Sequence, residues 1–432
     1  MMPRIIILLF SFVYVANACY ANKTVSIELN QQVTVELNIQ QAEGTDLLLV
    51  LPSEYGLQTA DYQLLRTLPK NNIEVWTSNL LDAYFLENAA SNLERLPAND
   101  LQKLIKAIHK KTNKNIFILT AGRGTIPVLR ALASWRDTDL PESPLAEFTP
   151  DYIRGLIFMH PKLFKTTPEP GLVAELMPSV QHTNQLIYLI QPTLSPFWWN
   201  RNISIAGLEE SGSDVFVQPL KNMRNRYYFR PDATPQEQQL ANNYPRLIYQ
   251  AIKQLKLYPI KTRALSKQFS INTEVTSVKT ERTLSPYKGN KTPPELKLPS
   301  LNNSVYDLND DLNKVVLINF WASWCPPCVH EMPSMQRLED YFKQQRNAVF
   351  KIIAVNMAED KKTIRDFLEN KVSVNFEILL DTDGKALKQW KIFAFPTSFI
   401  IDKKGQIRYA IYGGLDWFTE DIKQKIQTLL DE

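Results

Sequence analysis

Cysteine is scarce in this sequence: three in 432 residues, at positions 19, 325 and 328. So few thiols exclude a disulfide-stapled scaffold. A large basic excess is also missing. The 49 Lys and Arg stand against 45 Asp and Glu, for a net charge of +4, and the lysines are scattered over what reads as a solvated surface. With no sustained basic run interleaved with aromatics, a dedicated nucleic-acid binder is excluded. The N-terminal apolar run, Ile5 to Ala16, falls short of the roughly 20 residues that a membrane-spanning helix needs. There are no internal repeats. The length exceeds what one compact core serves, so two or three domains are expected.

Arg4, the apolar run and the small residues after it form a signal-peptide pattern over 1–21. Cleavage after Ala18 and cleavage after Ala21 are both open. Acylation of Cys19 is a third outcome, although Ala16 stands where lipoprotein sites usually carry Leu. If Cys19 is removed or lipidated, the exported chain keeps only Cys325 and Cys328. A single pair with two residues between its members points to working chemistry.

Residues 22–261 begin with two alternating stretches, TVSIELN and VTVELNIQ, whose period of two predicts a hairpin. DLLLVLP, NIEVWTS, NIFILT, YIRGLIFM, QLIYLIQ and DVFVQPL read as further strands. Between them, Leu101, Leu104, Ile105 and Ile108 share one helical face, IPVLRALASW reads as a second helix, and a later one breaks at Pro245. Alternating strand and helix predict a doubly wound α/β sheet. Residues 262–298 are rich in Pro, Lys, Ser and Thr and read as a linker or extended lead-in. Residues 299–432 resume with KVVLINFWA as a buried strand and continue in α/β alternation.

Strand, Cys-x-x-Cys, helix is a specific order. Cys325 is placed at the helix N-cap, where free N–H groups and the helix dipole favour a thiolate. Cys328 falls one turn later, within disulfide reach. The first thiolate attacks a substrate disulfide and the second resolves it. Pro326 and Pro327 occupy the first helical positions, and both lack an N–H. That deprives the Cys325 thiolate of two donors and leans toward a reductant. A zinc site is the weaker reading, because there is no second Cys-x-x-Cys and only His330 lies nearby. An inert disulfide closing so small a loop stabilises little.

The segment INFWASWCPPCVHEMPSM resembles the active-site region of TlpA/ResA-type thioredoxin-fold thiol–disulfide reductases, through Trp321, Trp324, Cys325, Pro327, Cys328 and Glu331. FAFPTSFIID resembles their second hallmark. The resemblance implies a thioredoxin-like fold over 299–432 and a cis peptide at Pro396. It implies a substrate surface of Trp324, Phe395 and Pro396, with Pro396 lying against the cysteines, and a tuning or proton-relay role for Glu331. Asn319 stands where thioredoxin carries a buried aspartate, so another base has to serve Cys328. Protein disulfides and thiols are the implied substrates, apocytochrome c thiols in haem attachment among them. The implied electron donor is a membrane protein of the DsbD or CcdA kind. The implied redox group is the Cys325–Cys328 disulfide itself, with no other cofactor and no metal.

The N-terminal unit resembles an α/β-hydrolase in the order of its strands and helices. Active members carry Ser in G-x-S-x-G after a strand. Here the turn reads Ala121, Gly122, Arg123, Gly124, and Gly122 stands at the nucleophile position. None of His109, His160, His182 and His330 lies where the catalytic His is due. An anion cradle in AGRGT is the lesser alternative, lacking the Lys and Ser/Thr of a P-loop. The expected whole is α/β: a hydrolase-like doubly wound sheet without a triad, in recognition or docking, plus an exported thioredoxin-like reductase. Three other readings stay open: a ligand- or partner-binding protein with a redox switch, a disulfide oxidant, and a thiol peroxidase, whose framing Thr and Pro are absent.

Overall fold

The structure is a computed structural model that describes residues 23–135, 148–259, 263–264, 284–345 and 349–432. The expected leader with Cys19 lies outside the described residues, as does most of 262–298. Two sheets organise the chain. The first is built from β1 (Lys23–Asn30), β2 (Val33–Gln40), β3 (Asp46–Val50), β4 (Ile73–Thr77), β5 (Asn115–Ala121), β6 (Ile153–Met159), β7 (Leu186–Leu194) and β8 (Asp214–Arg224). Their spatial order is β1-β2-β4-β3-β5-β6-β7-β8. The β1–β2 hairpin and the β2–β4 pair are antiparallel, and from β4 onward every pairing is parallel.

The sequence explains this sheet. Asn30 Oδ1 accepts from the N–H groups of Gln32 and Val33, folding the hairpin turn. Along β3, Leu47 and Leu49 enter one core, while Leu48 and Val50 enter the other. In β5, Ile116 and Ile118 oppose Phe117 and Leu119 in the same way. A continuous apolar run serves a strand with helices on both faces. The helical break falls at Asn243, between Pro235–Asn242 and Tyr244–Lys256. Pro245 sits in the first turn of the second helix, where its missing N–H costs little.

The second sheet comprises β9 (Ser285–Pro286), β10 (Val315–Trp321), β11 (Phe350–Met357), β12 (Glu377–Asp381), β13 (Thr397–Ile401) and β14 (Ile407–Tyr412), in the order β9-β14-β13-β10-β11-β12. β10, β11 and β12 run parallel, and β13 is antiparallel to both β10 and β14. Val315, Leu317 and Trp321 face a core with Met332 and Met335 of the helix Pro326–Lys343 and with Ile422 and Ile426 of the helix Glu420–Asp431. Val316, Ile318 and Phe320 face the opposite core, under Ala386 and Leu387.

The stretch read as a linker contributes to this unit. Leu284 and Leu296 are buried in its two cores, and Ser285–Pro286 pairs with β14. The second sheet therefore draws on residues ahead of Pro299. A small separate cluster of Phe164, Ala174 and Phe393 joins the two units.

Candidate active site

Cys325 and Cys328 are joined as a disulfide at the start of the helix Pro326–Lys343. Cys325 is the N-cap, and its Sγ accepts from the Cys328 N–H at 3.4 Å. That is the first backbone N–H after the cap, since Pro326 and Pro327 have none. Both prolines are exposed, Cys325 is 6% exposed and Cys328 is fully buried. The arrangement gives the pair one accessible and one sheltered sulfur. A reduced Cys325 would face the positive end of the helix dipole.

Glu331 lies on the buried face of that helix, one turn beyond Cys328. Its Oε1 accepts from Asn319 Nδ2 at 2.7 Å. Its Oε2 accepts from the Leu415 N–H and from Trp417 Nε1, each at 3.1 Å. Burial pushes the carboxyl up to about 7, and the three donors oppose that shift without cancelling it. A carboxyl that titrates near neutrality can take up or release a proton in the working range. Glu331 also borders a surface cleft lined by Pro327, His330, Ser334, Arg337 and Gly414, which gives solvent access from one side.

Asn319 faces Glu331 for a reason of periodicity. It shares the parity of Val315, Leu317 and Trp321 on β10, the face that meets the helix. Its Nδ2 also donates to Ser398 Oγ at 2.9 Å, across the β10–β13 pairing of Asn319 with Ser398.

The Phe395–Pro396 peptide is cis and enters β13 directly. The Phe395 ring stands edge-on to Trp324, with centroids 5.6 Å apart. Trp321 is wholly buried against Phe367, at 5.6 Å. His330 is exposed. The structure thus brings Cys325, Cys328 and Glu331 onto one helix, and Trp324, Phe395 and Pro396 into one neighbouring rim.

Sequence reasoning missed four contributors: Leu415, Trp417, Ser398 and Glu359. Glu359 accepts from the Ser323 N–H at 2.8 Å and from Asn356 Nδ2 at 2.8 Å, holding the turn ahead of the cysteines. Its isolated place after β11 gives no spacing signal. A Trp in a Gly-rich loop, as in GGLDWF, was the one available hint for Trp417.

Comparison with known proteins fits this geometry. A family model described as AhpC/TSA matches residues 289–410. Thiol-disulfide oxidoreductase ResA of Geobacillus kaustophilus (strain HTA426) is 33% identical over 138 residues, covering 32% of this chain and 76% of the relative. Sporulation thiol-disulfide oxidoreductase A of Bacillus subtilis (strain 168) is 35% identical over 92 residues, covering 21% of this chain and 54% of the relative. The crystal structure of StoA from Bacillus subtilis aligns at 26% identity with a TM-score of 0.27, covering 31% of this chain and 97% of that one. Through its C-terminal part, this chain belongs to the ResA family of thiol–disulfide oxidoreductases.

Proposed function

We propose that the chain is an exported reductase of protein disulfides, working through Cys325 and Cys328. The observation that carries the reading is the capped, half-sheltered cysteine pair beside the Phe395–Pro396 rim, with Glu331 buried behind it. In the forward reaction the Cys325 thiolate attacks one substrate sulfur. A mixed disulfide forms, and the other substrate sulfur leaves as a thiolate. Cys328, deprotonated with help from Glu331, then attacks Cys325 Sγ. The enzyme disulfide forms and the second substrate thiol departs, so two electrons have passed to the substrate. The edge of Phe395–Pro396 offers backbone for an extended substrate segment.

The ResA relationship supports an extracytoplasmic setting and a membrane thiol donor of the DsbD or CcdA kind, which would return the electrons. Apocytochrome c thiols are one candidate substrate class. Among the described residues no helix is long and apolar enough to cross a membrane. Export is proposed to use the leader pattern at 1–21, with acylation of Cys19 as one of its three outcomes. Catalysis is proposed to need no cofactor beyond the cysteine pair. A thiol peroxidase is disfavoured because the Thr and Pro that would frame its reactive cysteine are absent from FWASWC.

The N-terminal unit is proposed to be α/β-hydrolase-like but without hydrolase chemistry, serving recognition or docking. Its strand order supports the first half of that reading. Gly122 supports the second. It keeps the left-handed backbone of a tight strand-to-helix turn, at φ +54°. A Cβ on Gly122 would meet Glu54 Oε2 at 2.3 Å. The same oxygen accepts from the Arg123 N–H at 2.7 Å, the group that holds an oxyanion in active hydrolases. Lys162 pairs with Glu54 at 2.7 Å and holds its carboxyl below the usual range despite burial. An internal carboxylate thus fills the place of both nucleophile and oxyanion.

The decisive experiment is the midpoint potential of the Cys325–Cys328 couple, with insulin reduction as the activity assay. A value near about −270 mV marks a reductant, and one near about −120 mV an oxidant. Cys325→Ser is expected to abolish insulin reduction. A potential at the oxidising end would overturn the direction proposed here.

A further inference from the structure

The loop that ends in Pro396 is held at every residue, and the holders come from both units. Within the C-terminal unit, the Ile392 N–H donates to Leu387 O at 3.0 Å, and Thr397 Oγ donates to Ala394 O at 2.8 Å. Phe395 leans on Trp324, and Pro396 O accepts from the Gly413 N–H at 2.7 Å. The carbonyl of Ile392 and the ring of Phe393 are left for the N-terminal unit.

Asn200 takes the carbonyl. It is 8% exposed, and its Nδ2 donates to Ile392 O at 3.1 Å in a buried setting. The same Nδ2 donates to Pro196 O at 3.1 Å, so the amide is fixed from its own side. Asn200 joins the short helix Pro196–Trp199 to the helix Arg201–Glu209. The ring of Phe393 is taken by Phe164, edge-on at 5.7 Å, which itself stacks with Phe197 at 6.5 Å. Every apolar neighbour in the Phe393 cluster belongs to the N-terminal unit. Further contacts brace the junction. The Trp199 indole lies so close to Gly384 that a Cβ there would come within 2.5 Å, and Lys288 pairs with Glu169 at 2.9 Å.

In a free-standing C-terminal unit, Phe393 would be a bare aromatic ring two residues before the substrate edge. We infer that Asn200 and the Phe164–Phe197 pocket are positioning elements for protein-disulfide exchange. They hold Ile392–Phe393 and thereby fix the Phe395–Pro396 edge on which a substrate strand lies. The inference rests on the reductase reading of Cys325 and Cys328. It gives the N-terminal unit a specific part in exchange. Among the described residues, the cluster that holds Cys325 and Cys328 contains none of that unit's side chains, yet the unit sets the surface that an extended polypeptide has to match. A small disulfide that needs only Cys325 is indifferent to it.

The test uses the full chain with Asn200→Ala and, separately, Phe393→Ala, which alters no residue of the N-terminal unit. Each variant is assayed on insulin, on 5,5′-dithiobis(2-nitrobenzoate), and for its thiol–disulfide equilibrium with glutathione. Loss of the Asn200 donor, or of the Phe393 ring, is expected to raise the KM for insulin about fivefold with kcat within about twofold. The small-disulfide rate and the glutathione equilibrium are expected to match the wild type. A wild-type insulin KM in both variants overturns the inference. So does an equal slowing on both disulfides, which would mean general damage. A wild-type chain inert on both disulfides sinks the reductase reading itself, and this inference with it.

Discussion

At the scale of the residue, Glu331 carries the clearest consequence. Its carboxyl stands at about 7 in the folded chain against an ordinary value of 4.5, with burial as the main cause. Between those pH values the folded chain binds a proton that the unfolded chain does not. Stability therefore falls as pH rises from about 4.5 to about 7 and levels off above. The full cost at pH 8 is about 3 kcal/mol as an upper figure. Glu331→Gln is expected to lose most of this slope, read as urea midpoints at pH 5 and pH 8. A variant that loses as much stability as the wild type over that interval would count against the shifted carboxyl. The helical spacing from Cys328 made Glu331 legible in the sequence. Its three donors were not, because Asn319, Leu415 and Trp417 come from elsewhere in the chain and a spacing rule reaches only one turn.

At the scale of the element, the active-site helix and the loop after β14 are fastened to each other. Ser334 Oγ donates to Glu331 O at 2.7 Å and accepts from the Trp417 N–H at 3.0 Å. Pro333, inside the helix, leaves the Val329 carbonyl without its usual donor, and the helix meets the loop just beyond that point. Ser334→Ala strands the Trp417 N–H in a buried place. The expected loss is about 1–3 kcal/mol, seen as a lower denaturant midpoint at unchanged m-value. An unchanged midpoint would mean that water replaces the hydroxyl. Most elements were legible from period two, period 3.6 and the Gly or Pro punctuation between them. The fastening was not, since GGLDWF has no periodicity and nothing in Ser334 announces its partner.

At the scale of the whole molecule, the two units differ in how far sequence alone reached. The C-terminal unit was readable because its chemistry is local: two cysteines, two prolines and a strand before them. The N-terminal unit was readable as an α/β alternation. The side chain packed against Gly122, that of Glu54, follows β3, whereas Gly122 follows β5, and only the adjacency of those strands in the sheet brings them together. Placing a hydroxyl there by Gly122→Ser is therefore expected to yield no hydrolysis of p-nitrophenyl acetate above background. The new side chain would collide with Glu54, on a backbone at φ +54° that side chains rarely adopt. Measurable turnover by that variant would show the site to be less filled than its contacts indicate. The junction through Asn200 was invisible for a similar reason, since its partner Ile392 lies 192 positions away.

The segment around Ser285–Pro286 has a consequence for how the protein behaves in company. It runs along β14, with the Tyr287 N–H on Arg408 O at 2.8 Å and the Ile407 N–H on Lys291 O at 2.8 Å. Without it, β14 would present a bare row of amides and carbonyls, a template for a strand of another molecule. The segment carries exposed Pro286, which has no N–H to offer, with exposed Lys288 and Lys291 close behind. The tether between the units is thus also a guard against self-association. A C-terminal fragment cut at Pro299 would keep both cysteines and still be prone to polymerise along its own edge.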